Sequence, residues 1–519
     1  MKALVFFFRD HAADLLGQTY DHLVLTVAAL ALSIAVGLPL GLSITRSPRA
    51  KGFVLAIAGI LQTIPSLALL GFLIPLTGIG AAPAIVALFL YALLPILRNT
   101  VTGVEGVQPA VREAAVGMGM TDFEVLRKVE LPLATPSILA GIRTATIVSV
   151  GVATLAALIG GGGLGVYVFR GISLANTTMI LAGALPAAGL ALTLDALLGL
   201  VERRMKTLLG PMVALVVALV LAAGARSLIA NHRSTTGLRL GAPAEFMERA
   251  DGYPGLAARY GIHADVVEMD HGLMYRAVVE RRVDAVIGYS TDGEIAAMNL
   301  RVLDDDRRYF PPYFVAPLVR KSALDAHPEL RGILDKLAGR IDAAEMARLN
   351  ARAEHGGEPA ERIAADYLRA NGFRVGPHRR GSPADLVIGS KIFAEQYILA
   401  ELFADLVESY TALRVDLKTG LGGTNICFEA LTHGEIDVYP EYTGTGFLAI
   451  LKPPKDVETA LVGDAARVYD YVRREFASRF ALEWLSPLGF SNRYAVIVTS
   501  ETAERLGVKA TSELVARIR

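Results

Sequence analysis

Cysteine is almost missing from this chain of 519 residues, in which Cys427 is the only one. A lone thiol excludes an intrachain disulfide and a cysteine-rich zinc site, and its expected place is that of a small packed hydrophobe. The nine histidines are scattered, with no H-x-x-x-H pair, so no metal site and no cofactor are expected. No G-x-x-x-x-G-K-[ST] run occurs, so the chain carries no phosphate loop of its own. No nucleophile and base stand in a supporting context, so no catalytic residue is proposed. Net charge is absent too: 51 Lys and Arg balance 51 Asp and Glu, which gives no reason to expect nucleic acid as a partner.

The neutral average hides a division. Residues 1–232 hold 15 basic and 10 acidic side chains, and residues 233–519 hold the other 36 and 41. With a charged fraction of 20% and a mean hydropathy of +0.44, the chain reads as partly membrane-embedded. A helix needs about 20 apolar residues to cross the hydrocarbon core. Spans are expected near Leu23–Ile44, Phe53–Leu73, Ala82–Leu97, Ser137–Ile159, Thr178–Leu200 and Met212–Ala230. The third is short and interrupted by Pro83 and Pro95. Ala3–Phe8 is too short to span and is expected at the interface, and no leader peptide of ordinary form is expected. Arg143 and Asp195 are expensive inside a span and are expected near its end or facing a dimer interior. Arg46, Arg49 and Lys51, then Arg98, Arg112, Arg127 and Lys128, then Arg203, Arg204 and Lys206 fall in alternate loops, which places those loops in the cytoplasm. The N-terminus and everything after Ala230 are then outside.

Glu113–Pro132 reads EAAVGMGMTDFEVLRKVELP, a polar helix-forming loop between two apolar stretches. It resembles the EAA loop of ATP-binding-cassette importer permeases. Glu113, Ala114, Ala115, Gly119, Leu131 and Pro132 fall on that family's pattern, with Val129 in its aliphatic place. The resemblance implies docking on an ATPase, which must be a separate polypeptide here. The bland reading is an amphipathic surface helix. Gly160–Gly165 reads as a flexible loop or as the close-packed outer gate found at that place in quaternary-amine importer permeases. One such chain supplies too few spans for a sealed path, so a homodimer of the permease part is expected.

Beyond Thr235, short β-like runs at Leu238–Leu240, Asp265–Val267, Ala285–Ile287, Leu386–Ile388, Arg414–Leu417 and Ala495–Val498 alternate with helical stretches, which argues for an α/β domain. VIGSKIFAEQ, GLGGTNICFEAL, GEIDVYPEYTGTG, FMERADGYPGL, GYSTDGEI and FPPYFVAPLVR resemble the extracytoplasmic binding proteins for glycine betaine, choline and carnitine. In that family the SKIF and YPEYTGT blocks come first; here they come last. Two incomplete tandem domains or one circularly permuted domain fit this order. No motif occurs twice, which favours permutation. The expected organisation is a transmembrane permease domain at 1–209, a sixth span and short linker at 210–236, one binding-protein segment at 237–376, a linker at 377–384 and the other segment at 385–519. The fold class is thus an all-α polytopic membrane domain plus an α/β two-lobed, permuted binding domain.

The resemblance implies a site. A trimethylammonium group donates no hydrogen bond and suits the faces of aromatic rings. Matching positions give Tyr289, Tyr313, Tyr442 and Tyr494 as a cage, each of which alone also reads as a packing residue. Lys391, Arg249 and Thr445 match the contacts to a ligand carboxylate. The bland alternatives are a salt bridge of Arg249 with Asp251 or Glu248, and a solvated Lys391. Gln396 and Asn492 would orient the ligand, and Tyr253 and Tyr275 are weaker cage candidates. The expected protein is a permease and solute receptor of an ATP-driven importer in the cell membrane, with membrane lipid around its spans and its binding domain outside. An importer for ergothioneine or a cationic amino acid, a membrane-tethered sensor and an anchored enzyme are the rival readings.

Overall fold

In the computed structural model, residues 2–174, 176–203, 237–249, 251–376, 378–381 and 383–518 are described. The chain divides into two compact units, residues 1–171 with 177–235 and residues 172–176 with 236–519. The expected span Met212–Ala230 and the link to Thr236 lie outside the described residues.

The first unit is helical. Among the described residues, Ala12–Ile44, Ala81–Glu105 and Thr177–Arg203 are single helices long and apolar enough to cross a membrane, as is the stretch Asp122–Ile159. The second expected span is not one straight helix. It breaks into Pro48–Thr63 and Ser66–Thr77, bent by 100°. Pro65 lacks the amide hydrogen that would continue the first helix and holds Ile64 extended at ψ 126. The third expected span, by contrast, absorbs its prolines. Pro83 lies in the first turn of Ala81–Glu105 and Pro95 lies inside it. Asn99 Nδ2 donates to the Pro95 carbonyl at 2.9 Å.

Small residues set the packing of these helices. Gly41 faces Thr100, and Gly141 lies where an added Cβ would stand 2.8 Å from the Pro95 carbonyl oxygen. Arg143 and Asp195, expected singly, neutralise each other through a bidentate pair at 2.8 and 2.9 Å, with Glu202 at 3.2 Å. The glycine run turns back tightly. Gly163 N donates to Gln18 Oε1 at 2.9 Å, and a Cβ at Gly165 would fall 1.8 Å from the Thr154 carbonyl oxygen. Only glycine fits there, in keeping with the close-packed reading rather than the flexible one.

The second unit holds two five-stranded sheets. One has the order β2-β1-β3-β10-β4 and the other β7-β6-β8-β5-β9. The strands are β1 Leu238–Ala242, β2 Ala264–Glu268, β3 Ala285–Tyr289, β4 Leu300–Val302, β5 Val315–Arg320, β6 Leu386–Gly389, β7 Val415–Lys418, β8 Val438–Tyr442, β9 Leu482–Trp484 and β10 Tyr494–Thr499. The central strands are continuous apolar runs such as AVIGY and YAVIVT, as strands covered on both faces must be. Each lobe takes one strand from the other sequence segment. β10 pairs antiparallel with β3 and β4, and β5 pairs antiparallel with β8 and β9. Neither segment completes a sheet alone, so the two segments make one two-lobed domain and not two incomplete ones.

The lobes are joined by residues 303–314 and 485–493. These crossovers are tied together: Asn492 N donates to the Tyr313 carbonyl at 3.0 Å and Tyr313 N to Ser491 Oγ at 3.0 Å. Helix Ala394–Tyr410 is buried nearly all round, with Ile398, Leu402, Phe403 and Val407 fully buried. It packs on helices Glu329–Leu334, Ala343–Glu354 and Ala360–Ala370 and on β6, β7 and β8. Its first turn fixes Glu395 and Gln396 at the end of the second sheet.

Candidate ligand-binding site

Four tyrosines arrive from strand ends of both sheets. Tyr289 ends β3 and lies directly across from Tyr494, which opens β10. Tyr442 ends β8, and Tyr313 stands just before β5. Their rings form a continuous cluster. Tyr289 and Tyr494 have centroids 4.9 Å apart, and Tyr313 meets Tyr494 edge-on at 6.1 Å. Tyr442 joins through Phe393, which stacks on Tyr289 at 5.3 Å and on Tyr442 at 6.4 Å. Phe246 lies 4.9 Å from Tyr494. The structure thus brings all four expected phenols together. Phe393 belongs to the SKIF run that yielded Lys391, so its signal was in view.

The two expected anion contacts are already engaged. Arg249 donates to both oxygens of Asp251 at 2.8 and 2.7 Å, to Glu245 at 2.9 Å and to Thr445 Oγ1 at 3.4 Å. Burial opposes charge on both partners, yet each holds the other ionised: Asp251 and Glu245 keep the guanidinium up, and Arg249 holds the Asp251 carboxyl below its usual range. Asp251 also accepts from the Tyr313 hydroxyl. Lys391 is buried rather than solvated. Its Nζ donates to Glu441 at 2.6 Å and Thr424 at 3.0 Å. Both cations lie over cage rings, Arg249 Cζ 5.5 Å from the Tyr494 centroid and Lys391 Nζ 5.1 Å from that of Tyr442.

Gln396 braces the same wall, donating to the Pro440 carbonyl at 2.9 Å and the Tyr442 hydroxyl at 3.1 Å. Asn492 donates to Glu395 at 2.9 Å. The two weaker cage candidates are turned to other tasks. The Tyr275 hydroxyl is spent on Asp292, and Tyr253 bonds the Ala264 backbone. Near the linker, His378, Asp405 and Glu408 bring possible metal-ligating atoms within 4.8 Å of one another. The Arg380 guanidinium already donates to both carboxylates, at 2.8 and 3.0 Å, and takes the place a cation would fill.

In the first unit, Glu113, Ala114 and Ala115 lie on helix Pro109–Gly117, with Ala115 buried. Gly119 follows at φ +81, a left-handed turn that favours glycine. Thr121 and Glu124 then form a capping box that starts a new short helix. Leu131 and Pro132 open helix Leu131–Ala153. Glu130 is buried just before them, held by Arg112 at 2.6 Å and Arg46 at 3.4 Å. Val116, Met118 and Phe123 stay exposed on this loop, at 54%, 71% and 67%.

These features define a class: a solute-binding domain of two lobes carried on the same chain as polytopic membrane helices. Residues 227–370 and 384–517 match the model of the substrate-binding domain of ABC-type glycine betaine transport systems, and residues 33–207 match that of binding-protein-dependent transport system inner membrane components. The choline transport system permease protein OpuBB of Bacillus subtilis (strain 168) is 48% identical over 40% of this chain and 94% of its own length. The osmoprotectant import permease protein OsmW of Salmonella typhimurium is 47% identical over 36% of this chain and 90% of its own. A solved glycine betaine/carnitine/choline ABC transporter structure shares 37% identity, covering 27% of this chain and 52% of that chain, with a TM-score of 0.23. The chain belongs to the glycine betaine-type substrate-binding family and joins such a domain to an importer permease; it is a membrane transporter subunit.

Proposed function

We propose that this chain binds a quaternary ammonium solute of the betaine, choline or carnitine kind between the lobes of its second unit and passes it to its own permease helices. The observation that carries this reading is the shared ring cluster of Tyr289, Tyr494, Tyr313 and Tyr442. Ring faces attract cations by roughly 0.5–2 kcal/mol each, and two of these faces already carry Arg249 and Lys391. With the bonds described above, Arg249 retains one of its five N–H donors and Lys391 one of its three. A ligand carboxylate takes these and Thr445, while a methylated ammonium takes the rings. Gln396 and Asn492 hold the wall against which it lies.

The partner is a separate ABC ATPase. Glu113, Ala114, Ala115 and Gly119 build its docking loop, and the exposed Val116, Met118 and Phe123 supply the apolar contact. Leu131 and Pro132 join that loop to the helix that moves. Two copies pair to enclose the path, and the binding domain stands on the extracytoplasmic side of the cell membrane. The reversed order of its sequence blocks is read as a circular permutation. Titration of the purified full chain against glycine betaine, carnitine, choline, ergothioneine and arginine tests the ligand class. Binding of arginine alone would replace this reading with the amino-acid one.

A further inference from the structure

Glu395 is the one buried carboxylate of the cage wall that forms no ion pair among the described residues. It is 1% exposed. Four neutral donors satisfy it. Its Oε1 accepts from the Tyr442 hydroxyl at 2.6 Å and Asn492 Nδ2 at 2.9 Å. Its Oε2 accepts from Thr291 Oγ1 at 2.6 Å and Asn350 Nδ2 at 3.1 Å. The four donors come from different parts of the domain: a cage strand of the second lobe, a crossover, a loop of the first lobe and a helix packed on the second. The carboxylate stands in the first turn of helix Ala394–Tyr410, where the dipole favours negative charge.

Thr291 belongs to the loop after β3, which begins at Tyr289. This loop is seated closely on the second lobe. A Cβ on Gly293 would stand 2.2 Å from Ala351 N. Gly293 N donates to Glu354 at 2.8 Å, and Asn350 Nδ2 donates to the Thr291 carbonyl at 2.8 Å. The loop thus carries a cage residue of one lobe at its start and a bond to the carboxylate beneath a cage residue of the other lobe.

We propose that Glu395 is a positioning residue that couples ligand contact at Tyr442 to the seating of the Thr291 loop, so that the lobes hold closed only while both bonds are made. This rests on the quaternary-amine reading of the same cage. Each oxygen serves one side of the coupling. Lifting the loop strips Thr291 from a buried charge, and the loss of a bond to a charged group is expensive. A carboxylate that has lost either donor is easier to protonate, because burial already raises its pKa. Its remaining bonds then cease to be charge-assisted.

The test is the dissociation rate of radiolabelled glycine betaine from the full chain in lipid nanodiscs. Thr291→Val and Tyr442→Phe remove one donor each and keep shape and ring. Each is expected to raise koff roughly tenfold, the worth of one such bond, with kon changed less than about threefold because closure follows encounter. The double variant should exceed the larger single by no more than about twofold, and Glu395→Gln should fall near the double. Wild-type koff in both singles overturns the coupling, as does a double variant at the product of the singles, which marks independent contacts. If the wild-type chain binds neither glycine betaine, choline nor carnitine, the cage reading falls and takes the coupling with it; if it binds them and only the kinetic pattern fails, the cage reading stands alone.

Discussion

Replacing Arg380 by Ala removes the bolt of the linker between the two sequence segments. The guanidinium donates to Glu401 at 2.9 Å, Asp405 at 2.8 Å and Glu408 at 3.0 Å, all three on one face of helix Ala394–Tyr410. Asp405 and Glu408 side chains are 0% and 1% exposed and Arg380 is 25% exposed. Breaking a buried pair from one side costs about 3–5 kcal/mol, because the abandoned carboxylates stay out of water. The cost should also depend on pH, with a sign set by Asp405. Burial pushes its carboxyl up to about 6 even with Arg380 beside it. A carboxylate raised on folding favours the native state below its unfolded pKa, and that favour fades as pH rises through the folded value. Without Arg380 the folded value rises further, so the defect should be mild near pH 5 and full near pH 8. Trp484 is the sole tryptophan, buried in the second sheet, and its fluorescence reports the melting of this lobe. At about 2 °C per kcal/mol for a domain of this size, the loss of Tm should be roughly 6–10 °C at pH 8 and clearly less at pH 5. Adding Asp405→Asn should recover part of it. A shift below about 2 °C at both pH values would refute the claim that Arg380 holds the junction.

Other outcomes follow from the same geometry. Tyr442→Ala should weaken glycine betaine by about 1–2 kcal/mol, a factor of roughly 5–30 in Kd by calorimetry; an unchanged Kd would count against the cage. Phe123→Asp places a charge on the exposed apolar tip of the EAA loop and should abolish co-purification of the ATPase while ligand affinity stays as in the wild type. Gly293→Ala pushes a methyl into the Ala351 backbone, so the lobes should stand further apart. Small-angle scattering of the detergent-solubilised chain with saturating ligand should show a larger radius of gyration than the wild type.

Much of this was legible in the residues. Short β-like runs placed six strands correctly, and the blocks shared with the binding-protein family pointed to four tyrosines that the fold brings together, three of them at strand ends. What stayed hidden depended on partners distant in sequence. β5 and β8 lay inside quoted motifs, but FVAPLVR and DVYPEY contain prolines that argue against a strand. Pro317 and Pro440 instead sit opposite each other in register. The Arg249–Asp251 pair was open to view because the two are close in sequence, whereas Lys391 looked solvated because its partner Glu441 lies far along the chain until folding sets it at hydrogen-bond distance. Glu395 gave no signal at all beside Gln396, since its meaning lies in Thr291 and Asn350, far away in the chain. The break at Pro65 was missed because hydropathy averages over a bend.

The strand scheme supports the proposed circular permutation. Read along the chain, β1 to β4 build the first sheet, β5 crosses to the second, β6 to β9 build the second, and β10 crosses back. Within each sheet the order is second, first, third, the crossing strand, fourth. Starting the count at β6 instead of β1 gives the same sentence with the lobes exchanged. A chain cut between β5 and β6 and rejoined beyond β10 therefore meets the same parallel and antiparallel pairings, the same two crossovers and the same ring cluster between them. It needs only a new join and a new pair of ends. On that reading the join falls near Arg380, which bonds helix Ala394–Tyr410, and the C-terminal helix Thr511–Ile518 packs against helix Tyr253–Tyr260. The order that places β1 nearest the membrane helices in sequence thus asks nothing of the cage, which is set by strand register and not by which lobe is made first.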